Sequence, residues 1–352
     1  MNFISDNAYG AAPEMVAAIQ AANDGAAMPY GDDAVTARLQ ARFSELFARE
    51  VWLYPVLSGT AANALALAQL TPPYGAILCH SESHIAVDEC AAPEFFSGGA
   101  KLVTLAGKSA KLTPAALEAA LLRLRAPPHS PKPTTISITQ ATEAGTVYSA
   151  AEISAIGAMA RREGLKLHMD GARFAAALAH LGAAPADLTW RVGVDALSFG
   201  ATKNGAFCAE AVIFFDKDDA KDFEFRRKKS GHLVSKMRFI SAQLQASIEE
   251  GRWLAWAGRA NALAATLAEG LAQLPGAELA HPAQINAVFV RLPDATIARL
   301  RQAGAKFYDW GTAADGRITV RLVVSCMTPQ DDVARFLEIA RDGAPATSGP
   351  RG

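Results

Sequence analysis

A lysine and an aspartate, each placed where an apolar run ends, carry the most specific chemistry of this chain. Asp170 follows the apolar run at 165–169, and Lys203 follows the next one at 192–197. A lysine amine can carry pyridoxal phosphate as a Schiff base, and an aspartate can keep the pyridine nitrogen protonated so that the ring accepts electrons. The pair together, rather than either residue alone, indicates an enzyme that uses pyridoxal phosphate.

A stretch of small residues, Ser58-Gly59-Thr60, stands where a strand gives way to a helix. Backbone N–H groups at a helix N-terminus, with a hydroxyl beside them, suit a phosphate. An ordinary N-cap turn would have the same sequence, because serine and threonine are common caps. Asp170 could likewise sit in a simple strand-ending turn, and Lys203 could be a solvated loop lysine. The site hypothesis therefore depends on these residues occurring together.

Three more residues have groups that such a site needs. Arg173, three residues after Asp170, could reach the phenolic oxygen of the cofactor ring. His84 follows a strand, where it could stack on the ring or move a proton near neutral pH, or merely cap a helix. Arg321 lies on the opposite strand face from its apolar neighbours, so it could bind a substrate carboxylate or be a solvated arginine.

Composition excludes several classes of protein. The chain has 352 residues, 51% of them hydrophobic and 20% charged, which is typical of a globular protein. A formal net charge of -1 gives no reason to expect a nucleic-acid partner. We expect no signal peptide and no membrane span, because no apolar run reaches roughly 20 residues. The four cysteines are far apart, which favours reduced thiols in a cytoplasmic protein and no metal site.

Helical and strand patterns alternate through the first two thirds of the chain. Strands are predicted at 51–57, 76–79, 101–105, 134–139, up to Asp170, before Lys203, and at 210–215; helices are predicted at 34–48, 61–70, from Thr113-Pro114, and from the capping box of Ser149 and Glu152 to about Gly164. This order predicts an α/β fold, a mostly parallel sheet with helices on both faces. Active sites of such sheets lie at the carboxyl ends of the strands, where Gly59, Asp170 and Lys203 would meet.

The remainder of the chain predicts a smaller α+β unit. One long helical tract is expected over 239–274, followed by strands at 287–292 and 318–324 and helices at 295–303 and 329–340. We therefore divide the chain into an N-terminal arm (1–12), a large cofactor-binding domain (13–245) and a small C-terminal domain (246–341). Residues 342–352 lack large apolar side chains and are expected to be a disordered tail.

In chain order, these motifs resemble the low-specificity L-threonine aldolases, pyridoxal-phosphate enzymes of fold type I (the aspartate aminotransferase fold) related to the β-eliminating lyases. The resemblance rests on 5–7, 30–33, 58–60, His84, 168–173, Lys203 and 320–323. The segment at 88–96 is similar to the bacterial branch that includes phenylserine aldolases. The resemblance as a whole implies cleavage of L-threonine, L-allo-threonine and, as a further candidate, L-phenylserine. The products would be glycine and an aldehyde, which is carbon–carbon lyase chemistry.

The resemblance also implies a role for each candidate residue. Lys203 would bind the cofactor covalently, Asp170 would meet the ring nitrogen, and Arg173 the phenolic oxygen. The remaining roles are phosphate binding by Ser58, Gly59 and Thr60, ring stacking by His84, and carboxylate binding by Ser5 and Arg321. Tyr30, with a basic residue near Lys236 or Arg238, would reach in from a neighbouring subunit of a homotetramer built as a dimer of dimers.

One departure from the family pattern concerns the base that removes the hydroxyl proton. Many relatives have a second histidine in the loop after the strand at 134–139, but this chain has Glu143 there. An ionised carboxylate can accept a proton but cannot donate one. The base could therefore be His84, Glu143 or a water held by either. Elimination, transamination or racemisation at the same cofactor are alternatives, and a non-catalytic protein of this fold is a weaker one.

Overall fold

A seven-stranded sheet forms the centre of the computed structural model, which describes residues 1–124, 126, 128–313 and 315–342. Its strands, in chain order, are β1 (Trp52–Val56), β2 (Gly75–His80), β3 (Lys101–Leu105), β4 (Lys132–Thr139), β5 (Lys166–Gly171), β6 (Ala196–Gly200) and β7 (Glu210–Phe214). They lie in the spatial order β1-β7-β6-β5-β4-β2-β3, and β7 alone runs antiparallel to its two neighbours. The prediction of a mostly parallel sheet is confirmed.

Helices cover this sheet, which explains why inner strands such as β2 and β7 read as largely apolar runs. Every residue of β2, β6 and β7 is buried. The helices of this region are α1 (Pro13–Ala22), α2 (Ala34–Leu46), α3 (Gly59–Leu70), α4 (His84–Val87), α5 (Ala92–Ser97), α6 (Pro114–Arg123), α7 (Ala150–Glu163), α8 (Phe174–Leu181) and α9 (Phe223–Lys229). The capping box predicted from Ser149 and Glu152 begins α7, and Thr113 caps α6 through a hydrogen bond from the Ala116 N–H.

The tract predicted to be helical over 239–274 is helical, but it consists of two helices rather than one. α10 (Arg238–Ile248) and α11 (Arg252–Ala272) are separated at Glu249–Gly251. Glu250 and Gly251 have φ angles of 54° and 68°, in the left-handed region, where a right-handed helix cannot continue. Both segments are amphipathic, so apolar spacing alone did not reveal the break. α10 packs against α1 and α2, whereas α11 packs against α8 and against the last helix of the chain.

The C-terminal part is α+β, as predicted. Its antiparallel sheet has the order β10-β11-β9-β8, from strands β8 (Glu278–Leu279), β9 (Ala287–Arg291), β10 (Tyr308–Thr312) and β11 (Ile318–Val323), with helices α12 (Asp294–Gln302) and α13 (Gln330–Arg341). A separate apolar core fills it, and Phe3 from the chain's start belongs to that core. The sequence did not predict α1, β8 or β10.

The N-terminal arm is hydrogen-bonded to the C-terminal unit. The Phe3 N–H donates to the Lys306 carbonyl at 2.8 Å, and the Val323 N–H donates to the Phe3 carbonyl at 2.9 Å. This places the N-terminal arm beside β11. The proposed domain boundaries remain predictions. The predicted disordered tail, apart from Asp342, lies outside the described residues, and no described helix is long and apolar enough to cross a bilayer.

Candidate active site

Asp170 and Lys203 line one cleft at the carboxyl ends of the central parallel strands. Thr139 at the end of β4 pairs in register with Asp170 on β5, which pairs in turn with Ser198 on β6. Lys203 follows β6 by three residues. The central cleft has an empty volume of about 350 Å³, and its lining includes Gly59, Asn63, His84, Glu143, Asp170, Arg173 and Lys203. The sequence thus predicted most of the residues that meet here.

A larger, open cleft of about 1180 Å³ adjoins the central one along the start of α3. Ser58, Gly59 and Thr60 line it together with His84 and Lys203. The Ser58 hydroxyl accepts a hydrogen bond from the Ala61 N–H at 3.3 Å, so Ser58 is the N-cap of a twelve-residue helix. Apart from its chain neighbours and the backbone of α3 itself, no atom of the described residues lies within 4 Å of where a Cβ on Gly59 would stand, so this helix end borders open space. A phosphate could approach the backbone here.

Two donors fix the carboxylate of the buried Asp170. The Ala172 N–H donates to its Oδ1 at 2.9 Å, and the Asn63 side-chain amide donates to its Oδ2 at 2.9 Å. The amine of Lys203, in the same cleft, has no hydrogen-bond partner among the described residues. A fixed carboxylate and an unengaged amine are the groups that a pyridinium ring and its aldehyde need. The donor set therefore fits pyridoxal phosphate.

A buried hydrogen-bond network links Asp170 to His84. The Asn63 amide that binds Asp170 also donates to Glu89 Oε1 at 2.8 Å, and His84 Nδ1 lies 2.7 Å from the same oxygen. The hydrogen bond to Glu89 raises the pKa of His84, although burial opposes this. Sequence reasoning missed Asn63 and Glu89 as site residues. A polar residue inside the otherwise apolar 61–68 run was the available signal for Asn63.

Asp6, also missed, holds Arg173. The Arg173 guanidinium donates to Asp6 from Nε at 2.8 Å and from Nη2 at 3.1 Å, and the Asn286 amide donates to Asp6 at 3.1 Å. Burial alone would raise the pKa of Asp6, but the charges of Arg173 and Lys203, together with the hydrogen bonds from Arg173 and Asn286, outweigh it and lower the pKa. This bidentate pair fixes the arginine beside the central cleft, where the sequence expected it to meet the cofactor ring.

Arg321 approaches the N-terminal arm from β11. Its Nη2 donates to the carbonyl of Ile4, the residue before Ser5, at a long 3.4 Å. The Ser5 hydroxyl accepts a hydrogen bond from the Asn7 N–H at 3.1 Å and caps a short turn. The structure therefore brings the arm that carries Ser5 to Arg321, the two residues expected to bind a carboxylate.

Two carboxyl groups in the clefts are held in surroundings that favour the neutral form. Burial and the charge of Asp170 raise the pKa of Glu143, although nearby cations oppose this. Burial raises the pKa of Glu210, at the start of β7, to about 7. The Thr202 N–H donates to Glu210 at 3.3 Å, next to Lys203. Sequence reasoning identified Glu143 but missed Glu210, whose neighbours only the antiparallel β6–β7 pairing reveals.

Tyr30 does not lie in these clefts of its own chain. It is 44% exposed and lines a separate cleft of about 1110 Å³ with residues including Thr36, Tyr54 and Arg227. Arg238, at the start of α10, donates to the Gly25 carbonyl at 3.3 Å. The expectation that Tyr30 and Lys236 or Arg238 serve a neighbouring subunit remains a prediction.

Comparison with known proteins supplies the family. The model of the beta-eliminating lyase family matches residues 2–295. The chain belongs to this family. The low specificity L-threonine aldolase of Pseudomonas sp. (strain NCIMB 10558) is 46% identical to this chain over 306 residues, which cover 87% of this chain and 88% of that protein. The low specificity L-threonine aldolase of Pseudomonas aeruginosa is 44% identical over 340 residues, which cover 97% of this chain and 96% of that protein.

A solved structure agrees with these relatives. The threonine aldolase of Leishmania major superposes with a TM-score of 0.91 at 28% identity, and the match covers 96% of this chain and 98% of that one. The resemblance to threonine aldolases that the motifs indicated is thereby confirmed, as is the fold class. The roles of the individual site residues remain predictions.

Proposed function

We propose that the chain cleaves L-β-hydroxy-α-amino acids to glycine and an aldehyde by a retro-aldol reaction that depends on pyridoxal phosphate. L-Threonine and L-allo-threonine are the proposed substrates, and L-phenylserine is a further candidate. The observation that carries the proposal is the meeting of Lys203, Asp170, His84 and Glu143 in one cleft. The names of the two Pseudomonas relatives support the reaction type.

The residues that would hold the cofactor follow from the donor set. Lys203 would bind it through its amine, Asp170 would pair with the ring nitrogen, and the start of α3 would hold the phosphate. His84 would lie against the ring, and Arg173, fixed by Asp6, would meet the phenolic oxygen. When bound, pyridoxal phosphate supplies an electron sink that stabilises negative charge at the α-carbon of the amino acid.

Substrate orientation falls to Arg321 and Ser5. A planar guanidinium can bind a carboxylate through two parallel hydrogen bonds, which fixes the direction of the α-carbon substituents. The orientation of these substituents decides which bond is broken, so Arg321 would select Cα–Cβ cleavage over loss of the α-proton. A mispositioned carboxylate would therefore lower the rate of Cα–Cβ cleavage and increase the share of other reactions at the α-carbon.

Two groups are placed to take the β-hydroxyl proton. His84 Nδ1 is engaged by Glu89, and its Nε2 has no partner among the described residues, so Nε2 can accept a proton. Glu143 lines the same cleft, and its raised pKa suits a group that accepts a proton and returns it. As the base takes the proton, the Cα–Cβ bond breaks, the aldehyde leaves, and the electron pair at Cα is later protonated to give glycine.

The products separate this proposal from its alternatives. The protein with pyridoxal phosphate and L-threonine should yield glycine and acetaldehyde in equal amounts, and Lys203→Ala should abolish both. Elimination would instead release 2-oxobutyrate and ammonia, and transamination would yield no aldehyde. Either of these product sets would overturn the proposed reaction while leaving the cofactor site in place.

We also propose that the enzyme acts in the cytoplasm as a homotetramer, a dimer of dimers. The exposed Tyr30, in a cleft apart from Lys203, supports a role in a neighbouring subunit's site. Sedimentation should give the mass of four chains. A tetramer in which Tyr30→Phe leaves the KM for L-threonine unchanged would contradict the role of Tyr30 but not the assembly.

A further inference from the structure

Arg321 lies in a row of aromatic side chains on one face of the small sheet. In register, it pairs with Tyr308 of β10 on one side and with Phe289 of β9 on the other. Trp310, two residues after Tyr308, covers the guanidinium, whose central carbon lies 4.2 Å from the centroid of the Trp310 ring. The Tyr308 ring centroid is 5.4 Å away. Trp310 is therefore the closer of the two rings to this cation.

Ordinary polar contacts do little to orient Arg321. Its one hydrogen bond among the described residues is the long contact to the Ile4 carbonyl, and its buried Nε has no partner there. Asp6, the acid nearest in sequence to Ile4, is already occupied by the guanidinium of Arg173. Arg173 is thus held by a bidentate carboxylate, whereas the stacking ring of Trp310 is the main contact that can fix Arg321.

Being held by an aromatic ring rather than by a carboxylate suits a guanidinium that must bind an incoming carboxylate. A carboxylate partner would neutralise Arg321 and occupy the N–H edge that the substrate needs. An aromatic face attracts the cation through the ring quadrupole and leaves the edges of the planar group free. Stacking can therefore orient Arg321 without competing for its hydrogen-bond donors.

Trp310 is itself held in place although 42% of it is exposed. Its ring packs edge-on against Phe289, with centroids 5.7 Å apart. Phe289 in turn lies against the loop that carries Glu143, since a Cβ on Gly145 would stand 3.4 Å from its ring. The tryptophan thus connects Arg321 to the wall of the central cleft.

We propose that Trp310 is a positioning residue, whose ring holds the Arg321 guanidinium flat with its free edge available to the substrate carboxylate. This inference rests on the proposed function, which assigns carboxylate binding to Arg321. Trp310 does not touch the reacting atoms. Its loss should therefore weaken the binding of ligands that carry a carboxylate more than it slows the chemical step.

The test uses the holoenzyme and compares Trp310→Leu with Trp310→Phe, which keeps an aromatic face. Trp310→Leu should raise the KM for L-threonine about tenfold, within the range known for partly buried cation–π contacts, and kcat should fall much less. Trp310→Phe should restore most of the binding. Tyr74→Leu, a change at an exposed aromatic residue outside both clefts, is the matched control and should leave KM unchanged.

Glycine and glycinamide, followed through the visible absorbance of the cofactor, make the test specific to the carboxylate. Trp310→Leu should weaken glycine binding about tenfold and leave glycinamide binding within twofold. Equal losses for both ligands, or a Trp310→Phe variant as weak as Trp310→Leu, would show that Trp310 is merely structural and would overturn the inference.

Arg321→Leu distinguishes failure of this inference from failure of the proposed function. If Arg321→Leu weakens glycine binding and Trp310→Leu does not, the inference alone fails. If Arg321→Leu leaves glycine binding unchanged, the carboxylate site itself is wrong and both fall. The binding measurement does not depend on which reaction the holoenzyme carries out.

Discussion

Removing the charge of Asp6 should destabilise the protein far more than the same change at the surface. Asp6 accepts two hydrogen bonds from Arg173, and the two side chains are only 1% and 17% exposed. Removing one member of a buried ion pair costs about 3–5 kcal/mol, because the other charge stays buried without compensation. Asparagine keeps one acceptor oxygen, so we expect Asp6→Asn to lower the free energy of unfolding by about 3 kcal/mol.

The measurement is urea unfolding of the cofactor-free protein, followed by circular dichroism at pH 7. Because the pKa of Asp6 is lowered in the fold, its contribution is complete above its ordinary value of 3.8 and is lost as the pH falls through the lower folded-state value. Asp187→Asn is the matched control, since Asp187 pairs with Arg191 at the surface, where both side chains are about half exposed. That pair should contribute less than about 1 kcal/mol.

A double variant tests the reasoning further. Asp6→Leu should cost more than Asp6→Asn, and adding Arg173→Met should recover much of that loss because no unpaired charge then remains. If Asp6→Asn and Asp187→Asn have similar small effects, the pair is not buried in solution as described. If the second substitution recovers nothing, the loss does not come from the unpaired charge of Arg173.

Three other predictions concern protonation and packing. Glu89→Gln should shift the acid limb of the kcat/KM profile to lower pH, because the hydrogen bond from Glu89 raises the pKa of His84. An unshifted limb would exclude His84 as the titrating base. Burial lowers the pKa of His168 to about 4. As the pH falls from 6.5 to 4, the unfolded chain takes up a proton at this residue that the folded protein does not, so the free energy of unfolding should fall by about 3 kcal/mol. His168→Gln should flatten this pH dependence in urea titrations. Gly200→Ala should lower the free energy of unfolding by about 1–3 kcal/mol, because the added Cβ would lie 2.8 Å from the Ala172 backbone. Gly258→Ala is the control: it has open space around it in α11, so thermal unfolding should show no loss of stability or a small gain.

The alternation of elements was predictable because a covered parallel sheet leaves continuous apolar strands between amphipathic helices. The features that the sequence did not predict have local causes. The break between α10 and α11 depends on two residues of left-handed backbone, which apolar spacing does not encode. All five residues of β10 are exposed, so neither an apolar run nor an alternation marked that strand.

The site was predictable where residue type alone is informative. Lys203 and Asp170 stand out because few other roles place this pair after successive buried strands. Asp6 and Glu89 could not be assigned in the same way, since an acidic residue reads as solvated until its partner is known. Asp6 and Arg173 are 167 positions apart, and only the folded path of the N-terminal arm shows that they pair.

The covalent role of Lys203 is the claim on which the rest of the mechanism depends. The most direct measurement is reduction of the protein with borohydride after incubation with pyridoxal phosphate, followed by mass spectrometry of its peptides. We expect one pyridoxyl group per chain, on the peptide that contains Lys203, and none in Lys203→Ala. A label on another lysine, or a Lys203→Ala variant that is labelled and still cleaves L-threonine, would contradict the account.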